Sequence, residues 1–322
     1  MRLSYLATCR TAGGLLILLL LTACAATPQS EQLLHPLAED FATPVELTDT
    51  PFFPQTQYQC GPAALATLLQ AAGVDIRPEQ LTSQIYIPDR QGSLQIELLA
   101  ATRGQGLIPY VLPPRLDAVL HELRHGRPVL VLQNQGLSWY PAWHYAVLIG
   151  YNLQKQTLLL RSGTTRRYEL KIQTFERTWQ RGQHWALIAL PPGELPARPE
   201  AWRYLKAIMG FEGLKNWSVL NRAYAAGLRQ WPASRELHMG AGNARFAQDD
   251  MQKAGQHFRA VTLAHADYAP AHNNLAQVLA RQGDFKQALL HVQRALELGG
   301  PHRAEYEATL NEIQAMLAGQ PG

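Results

Sequence analysis

Residues 51–73 read PFFPQTQYQCGPAALATLLQAAG, and the change of pattern inside this stretch decides the fold of the first half of the chain. Pro51 to Gln59 has no helical period and is punctuated by prolines, so it reads as extended chain. From Gly61 onward Ala64, Leu65, Leu68, Leu69 and Ala72 recur at helical spacing, which predicts an amphipathic helix stopped by Gly73. Cys60 therefore stands at a helix N-terminus, where unpaired N–H groups and the helix dipole favour a thiolate. Gly61 is expected to let a ligand approach the backbone, and Pro62 suits a first helical turn. The same residues also allow a buried core cysteine, because free Cys is among the most buried residue types.

A thiolate nucleophile needs a base, and it needs donors for a developing oxyanion. Gln55, Gln57 and Gln59 lie just upstream as candidate donors. Downstream, residues 126–151 read GRPVLVLQNQGLSWYPAWHYAVLIGY. Pro128 to Leu132 is a short β-rich run; a polar loop follows, and His144 to Tyr151 forms a second such run. His144 opens that strand, 84 residues after Cys60. A nucleophile and its base need only be adjacent in space, and Cys before His is the order of papain-like enzymes. Trp143 is a candidate shield for the imidazole, and a structural histidine is the plainer alternative reading.

The stretches QTQYQCGPAALATLL and PAWHYAVLIGYN, with RLDAVLHELRHGRPVLVLQN between them, resemble the double-glycine leader peptidases, a family of papain-like cysteine proteases. The resemblance covers residues 48–192 and implies an α+β domain whose Cys60 helix packs on an antiparallel sheet carrying His144. It implies Cys60 as nucleophile, His144 as general base and Gln55 as the oxyanion glutamine. It also implies a substrate with small residues before the scissile bond. The family places an Asp-Pro at the end of the next strand, but here Thr157 to Leu160 runs into Arg161-Ser162-Gly163. Ser162 and Asn152 are the remaining candidates to orient His144, neither with a full charge. Transglutaminase-like enzymes and cell-wall amidases also run Cys, His, then a polar residue, but the Gln-rich lead-in with CGPAAL fits the leader peptidases better.

The N-terminus reads MRLSYLATCRTAGGLLILLLLTAC. Arg2 and Arg10 precede an apolar run from Leu15 to Leu21, too short to cross a hydrocarbon core of ~30 Å. Leu21-Thr22-Ala23-Cys24 resembles a bacterial lipobox, which implies a signal peptide at 1–23 and lipid on the Cys24 thiol. Ala25 after the Cys implies the outer rather than the inner membrane, facing the periplasm. Residues 24–47 are polar and Pro/Thr-rich and are expected to form a tether. Of the three cysteines, Cys9 leaves with the peptide and Cys60 alone remains as a free thiol.

A Pro-rich linker at 193–199 introduces a helix-forming region. Ala254-x3-Phe258 recurs as Ala288-x3-Val292 after a shift of 34, which also carries Gly242 to Ala276 and Tyr224 to Phe258. That period with small residues at these offsets resembles tetratricopeptide repeats. The expectation is an all-α repeat domain over 200–319, with units at 200–234 (degenerate), 235–268 and 269–302 and a capping helix. Such stacks take peptide or protein partners. Six histidines lie in this region, none at His-x-x-x-His spacing, so they read as solvated.

Composition supports folded domains: 47% of residues are hydrophobic and 17% charged. The formal charge of +4 comes without a basic cluster, which argues against nucleic acid. There is no GxxxxGK[ST] motif for ATP and no Cys-rich metal pattern, so no cofactor or metal is expected. The reading is a lipid-anchored cysteine peptidase whose repeats recruit a protein or peptide partner. Its rival is a catalytically impaired papain-like scaffold that only binds peptides.

Overall fold

The computed structural model describes residues 26–54 and 59–319. Cys24, Gln55 and Gln57 lie outside the described residues. Contacts divide the chain into two compact units. One is built on the chain up to Ala101 with Val111–Ala189, the other on Thr102–Tyr110 with the chain from Leu190 onward.

In chain order the first elements are α1 (Pro28–Leu34), β1 (Val45–Glu46), α2 (Cys60–Ala71), α3 (Pro78–Ile85), α4 (Gln95–Gly104) and β2 (Ile108–Val111). They are followed by α5 (Leu116–Arg124), β3 (Val129–Asn134), β4 (Trp143–Asn152), β5 (Thr157–Ser162), β6 (Thr165–Lys171), α6 (Ile172–Arg181) and β7 (Ala186–Leu190). The sheet runs β2-β7-β3-β4-β5-β6, and the pairings from β7 to β6 are antiparallel. β3 covers the first half of one edge of β4, with Gln133 opposite His144, and β1 covers the end of that edge. The expected helix on an antiparallel sheet is present, with α2 against β4 and β3.

Two expectations change. α2 is not amphipathic: every residue from Gly61 to Leu69 is buried. α3 covers the side that the sheet does not, so this is a central helix. Gly73, at φ +90°, stops it as expected. The segment expected as a tether is structured from Pro28, because α1 buries Ser30, Leu33 and Leu34 against α5 and α6. Its start is held by the buried Glu176 of α6, which accepts from the Gln29 N–H (2.9 Å), the Ser30 N–H (2.6 Å) and the Ser30 hydroxyl. Three donors satisfy a carboxylate that would otherwise be costly to bury.

The second unit carries α7 (Ala201–Met209), α8 (Trp217–Gln230), α9 (Arg235–Phe246), α10 (Met251–Ala264), α11 (Ala269–Arg281), α12 (Phe285–Leu298) and α13 (Arg303–Ala318). The period of 34 is literal in the helix starts: Ala201, Arg235, Ala269, Arg303 in one series, Trp217, Met251, Phe285 in the other. Asn216, Asp250 and Asp284 cap the second series through their side chains, on the N–H groups of Val219, Lys253 and Gln287. Ala254, Phe258, Ala276 and Val292, singled out by the alignment, share one buried cluster.

The histidines are not simply solvated. His238 Nδ1 lies 3.1 Å from His257 Nδ1, and His272 Nδ1 lies 2.9 Å from His291 Nδ1. The remaining nitrogens of His238 and His272 face the carbonyls of Pro232 and Ala266. Both pairs bridge the two helices of a repeat, one period apart. Burial pushes His257 down to about 4, with His238 and Arg245 adding to the shift, and lowers His272 and His291. A depressed folded pKa means that the unfolded chain takes up the proton first. Stability from these groups is complete above the ordinary imidazole value of 6.5 and drains away as pH falls towards about 4. Hydrogen exchange of the full chain is expected to show α9–α12 losing protection between pH 7 and pH 5. His257→Phe with His291→Phe should flatten that dependence; a profile unchanged by the substitutions would count against the pairs.

Candidate active site

Cys60 opens α2 and is half-buried. Upstream, residues 48–50 are pinned by Arg161, which is 4% exposed on β5. Its guanidinium donates to the carbonyls of Thr50 (2.9 Å through Nη2) and Thr48 (3.0 Å), and to that of Arg166. At its second residue, Gly61, the backbone of α2 meets the Ser93 loop. A Cβ at Gly61 would lie 2.4 Å from Ser93 Oγ, so the glycine makes room for a protein segment rather than for the expected ligand.

The sulfur faces backbone N–H groups of Tyr145, Gly61 and Cys60 itself, which favour the thiolate. Burial outweighs them and pushes the thiol pKa up, reversing the expectation from the helix terminus alone. The Tyr145 N–H belongs to the peptide that links it to His144, so the sulfur sits beside the start of β4. His144 Nε2 lies 2.9 Å from Ser162 Oγ at the end of β5. With Nε2–H donating to that hydroxyl, Nδ1 carries the lone pair and is the basic nitrogen. Burial lowers the His144 pKa, so the imidazole is neutral at pH 7. Burial thus favours a neutral thiol at Cys60 and a neutral imidazole at His144 as the resting state.

Cys60, His144 and Ser162 are thus brought to one end of the sheet, and Asn152 is not. Asn152 ends β4, eight residues from His144 or ~27 Å along the strand, and accepts from the Lys155 N–H (3.0 Å) in the following turn. Gln59, the one candidate glutamine among the described residues, is exposed; its carbonyl accepts from Ala63 N–H at 3.2 Å, and its side chain makes no capping bond. Trp143 is exposed and precedes His144 on a strand whose side chains alternate, so it does not shield the ring. Sequence reasoning missed Arg161, although a lone arginine in TLLLRS was its signal. Among the described residues no cluster of three or more metal-ligating side chains occurs.

Residues 47–186 match the peptidase C39-like family, and residues 269–300 match the tetratricopeptide repeat. No curated protein matches the chain. Among solved structures, the chain is similar to a protein of Bacillus anthracis assigned as a C39-like peptidase (17% identity, TM-score 0.40, 46% of this chain and 98% of that one). It is also similar to the first TPR of Spaghetti (RPAP3) bound to an HSP90 peptide (18%, 0.35, 37% and 93%). A third likeness is to the Yersinia enterocolitica type III secretion chaperone SycD in complex with a peptide of the translocator YopD (14%, 0.33, 35% and 92%). The chain therefore carries an N-terminal α+β peptidase C39-like domain with an antiparallel sheet, followed by an all-helical tetratricopeptide repeat region.

Proposed function

We propose that the first unit is a cysteine peptidase, held at the periplasmic face of the outer membrane by lipid on Cys24, and that the repeats recruit a peptide or protein partner. The observation that carries this reading is the His144–Ser162 hydrogen bond beside a sulfur met by the Tyr145 N–H. Cys60 attacks the peptide carbonyl while its proton passes to His144 Nδ1, so the ion pair forms during attack rather than before it. The oxyanion takes the N–H groups at the start of α2, with Gln55 as the side-chain donor. His144 gives its proton to the leaving amine, then takes one from water as the hydroxide attacks the thioester and frees Cys60.

Quenched-fluorescence peptides with Gly-Gly before the scissile bond provide the assay. Cys60→Ala should abolish turnover with thermal unfolding unchanged. If wild type and variant are equally inert while both bind the peptides, the scaffold reading replaces this one. Ser162→Ala should lower kcat by about 10- to 100-fold. Ser162→Asp should raise the His144 pKa by placing a carboxylate on Nε2.

The pH dependence follows from the two buried groups. His144 must be neutral to accept the proton, and its lowered pKa keeps it so below 6.5, so the acid limb of kcat/KM should fall below that value. Alkylation of Cys60 by iodoacetamide should climb with pH up to and beyond the ordinary thiol value of 9.0. A plateau already reached at pH 6 would mean a resting ion pair and contradict the proposed order of steps. Arg161→Met removes the donor to the carbonyls of Thr48, Thr50 and Arg166 and should cost about 3 kcal/mol in urea unfolding.

A further inference from the structure

Residues 135–142 fold into a tight hairpin immediately before His144. Gln135 N–H donates to Ala142 O (2.9 Å), and Leu137 and Tyr140 exchange backbone bonds at 3.0 and 3.2 Å. At its base the buried Asn134 accepts from the N–H groups of Gly136 and Ala142 (2.9 Å each) and donates to Leu137 O at 3.3 Å. A Cβ at Gly136 would lie 2.5 Å from Tyr140 O, so the turn closes only around glycine. This well-bonded hairpin presents Leu137 (56% exposed), Trp139 (81%) and Tyr140 (74%) at its tip, with Trp143 (55%) beside it. From Pro128 to Gln154 the sequence contains no Asp, Glu, Lys or Arg.

We infer that this hairpin is a membrane-interface element, seating Trp139 and Tyr140 in the headgroup layer of the bilayer that holds the Cys24 lipid. The inference rests on the anchoring proposed above. A projecting tip with no charge, whose rings are apolar with a polar handle, suits the interface between water and hydrocarbon. Its backbone groups are already paired, so entering a drier layer leaves few amides unsatisfied. Chain geometry puts the anchor within reach. Ser30 is fixed on Glu176, and Arg181, five residues or ~7.5 Å further along α6, donates to Asn134 O (3.0 Å) at the hairpin base. Cys24 is six residues from Ser30, a span of at most ~20 Å. A lipid anchor alone leaves the domain free to turn, and a second, peripheral contact gives an oriented attachment. The active site would then open close to the membrane surface.

The test uses the mature full chain in vesicles of phosphatidylethanolamine and phosphatidylglycerol, with and without brominated acyl chains. Trp139 emission is read as the difference between wild type and Trp139→Ser. It should shift to the blue and fall about twofold in brominated vesicles. Unquenched Trp139 in protein that floats with the vesicles overturns the inference. If the chain neither floats nor carries acyl mass, the anchor reading has failed, and the hairpin is then tested by co-sedimenting the unacylated chain with excess vesicles. Wild type binding about threefold or more above the Trp139→Ser/Tyr140→Ser variant supports the inference, and equal binding overturns it. Loss of turnover on a soluble peptide in that variant, with vesicle binding unchanged, also overturns it and assigns the tip to substrate.

Discussion

The guanidinium of Arg161 is the constraint on which the site depends. It is buried among the carbonyls of Thr48, Thr50 and Arg166, so its charge is met by fixed backbone dipoles. Taking such a group from water is tolerable only while every one of those dipoles stays in place. Residues 48–50 are therefore locked to the end of β5, and the next residue on β5 is Ser162, which holds His144. One dipeptide, Arg161-Ser162, ties the Thr48–Thr50 segment with its first side chain and the imidazole with its second. β1 adds a second tie to the same stretch of chain, through the pairing of Val45 and Glu46 with Tyr151 and Gly150.

What was legible in the sequence was what depends on local period. The helix after Cys60, the two strands around the 135–142 loop and the 34-residue repeat all lie in spacing alone, and each stands within a residue or two of its expected place. What was not legible depended on partners distant in sequence. The enclosure of α2 comes from α3, and the start of α1 is held by a carboxylate, Glu176, that nothing in Ile172–Arg181 marks as special. The Asn152 expectation fails for a reason the sequence did contain. Two residues at opposite ends of one extended strand cannot touch, whatever their types.

The histidines give the complementary lesson. A search for His-x-x-x-His looks only along one helix face, whereas a repeat made of paired helices brings together residues of its two halves. His238 and His272 are separated by one period, as are His257 and His291, and 19 residues separate the members of each pair. Periodicity of a polar residue within a period of small ones was the available signal. Its physical content is an inter-helix hydrogen bond that exists while the rings are neutral.

The same preference for neutral groups runs through the candidate active site. A carboxylate at position 162 would stabilise an imidazolium, and an imidazolium would in turn draw the thiol towards its anion. A hydroxyl does neither strongly, so burial decides both protonation states, lowering His144 and raising Cys60. On the peptidase reading proposed above, the charge separation of papain-like chemistry is created as the bond to carbon forms. At that moment negative charge appears on the carbonyl oxygen, and the oxyanion becomes the centre that the N–H groups at the start of α2 have to meet. A site of this kind gains most from a substrate that brings its carbonyl to α2 already aligned, because alignment is the part of the barrier that Ser162 does least to lower.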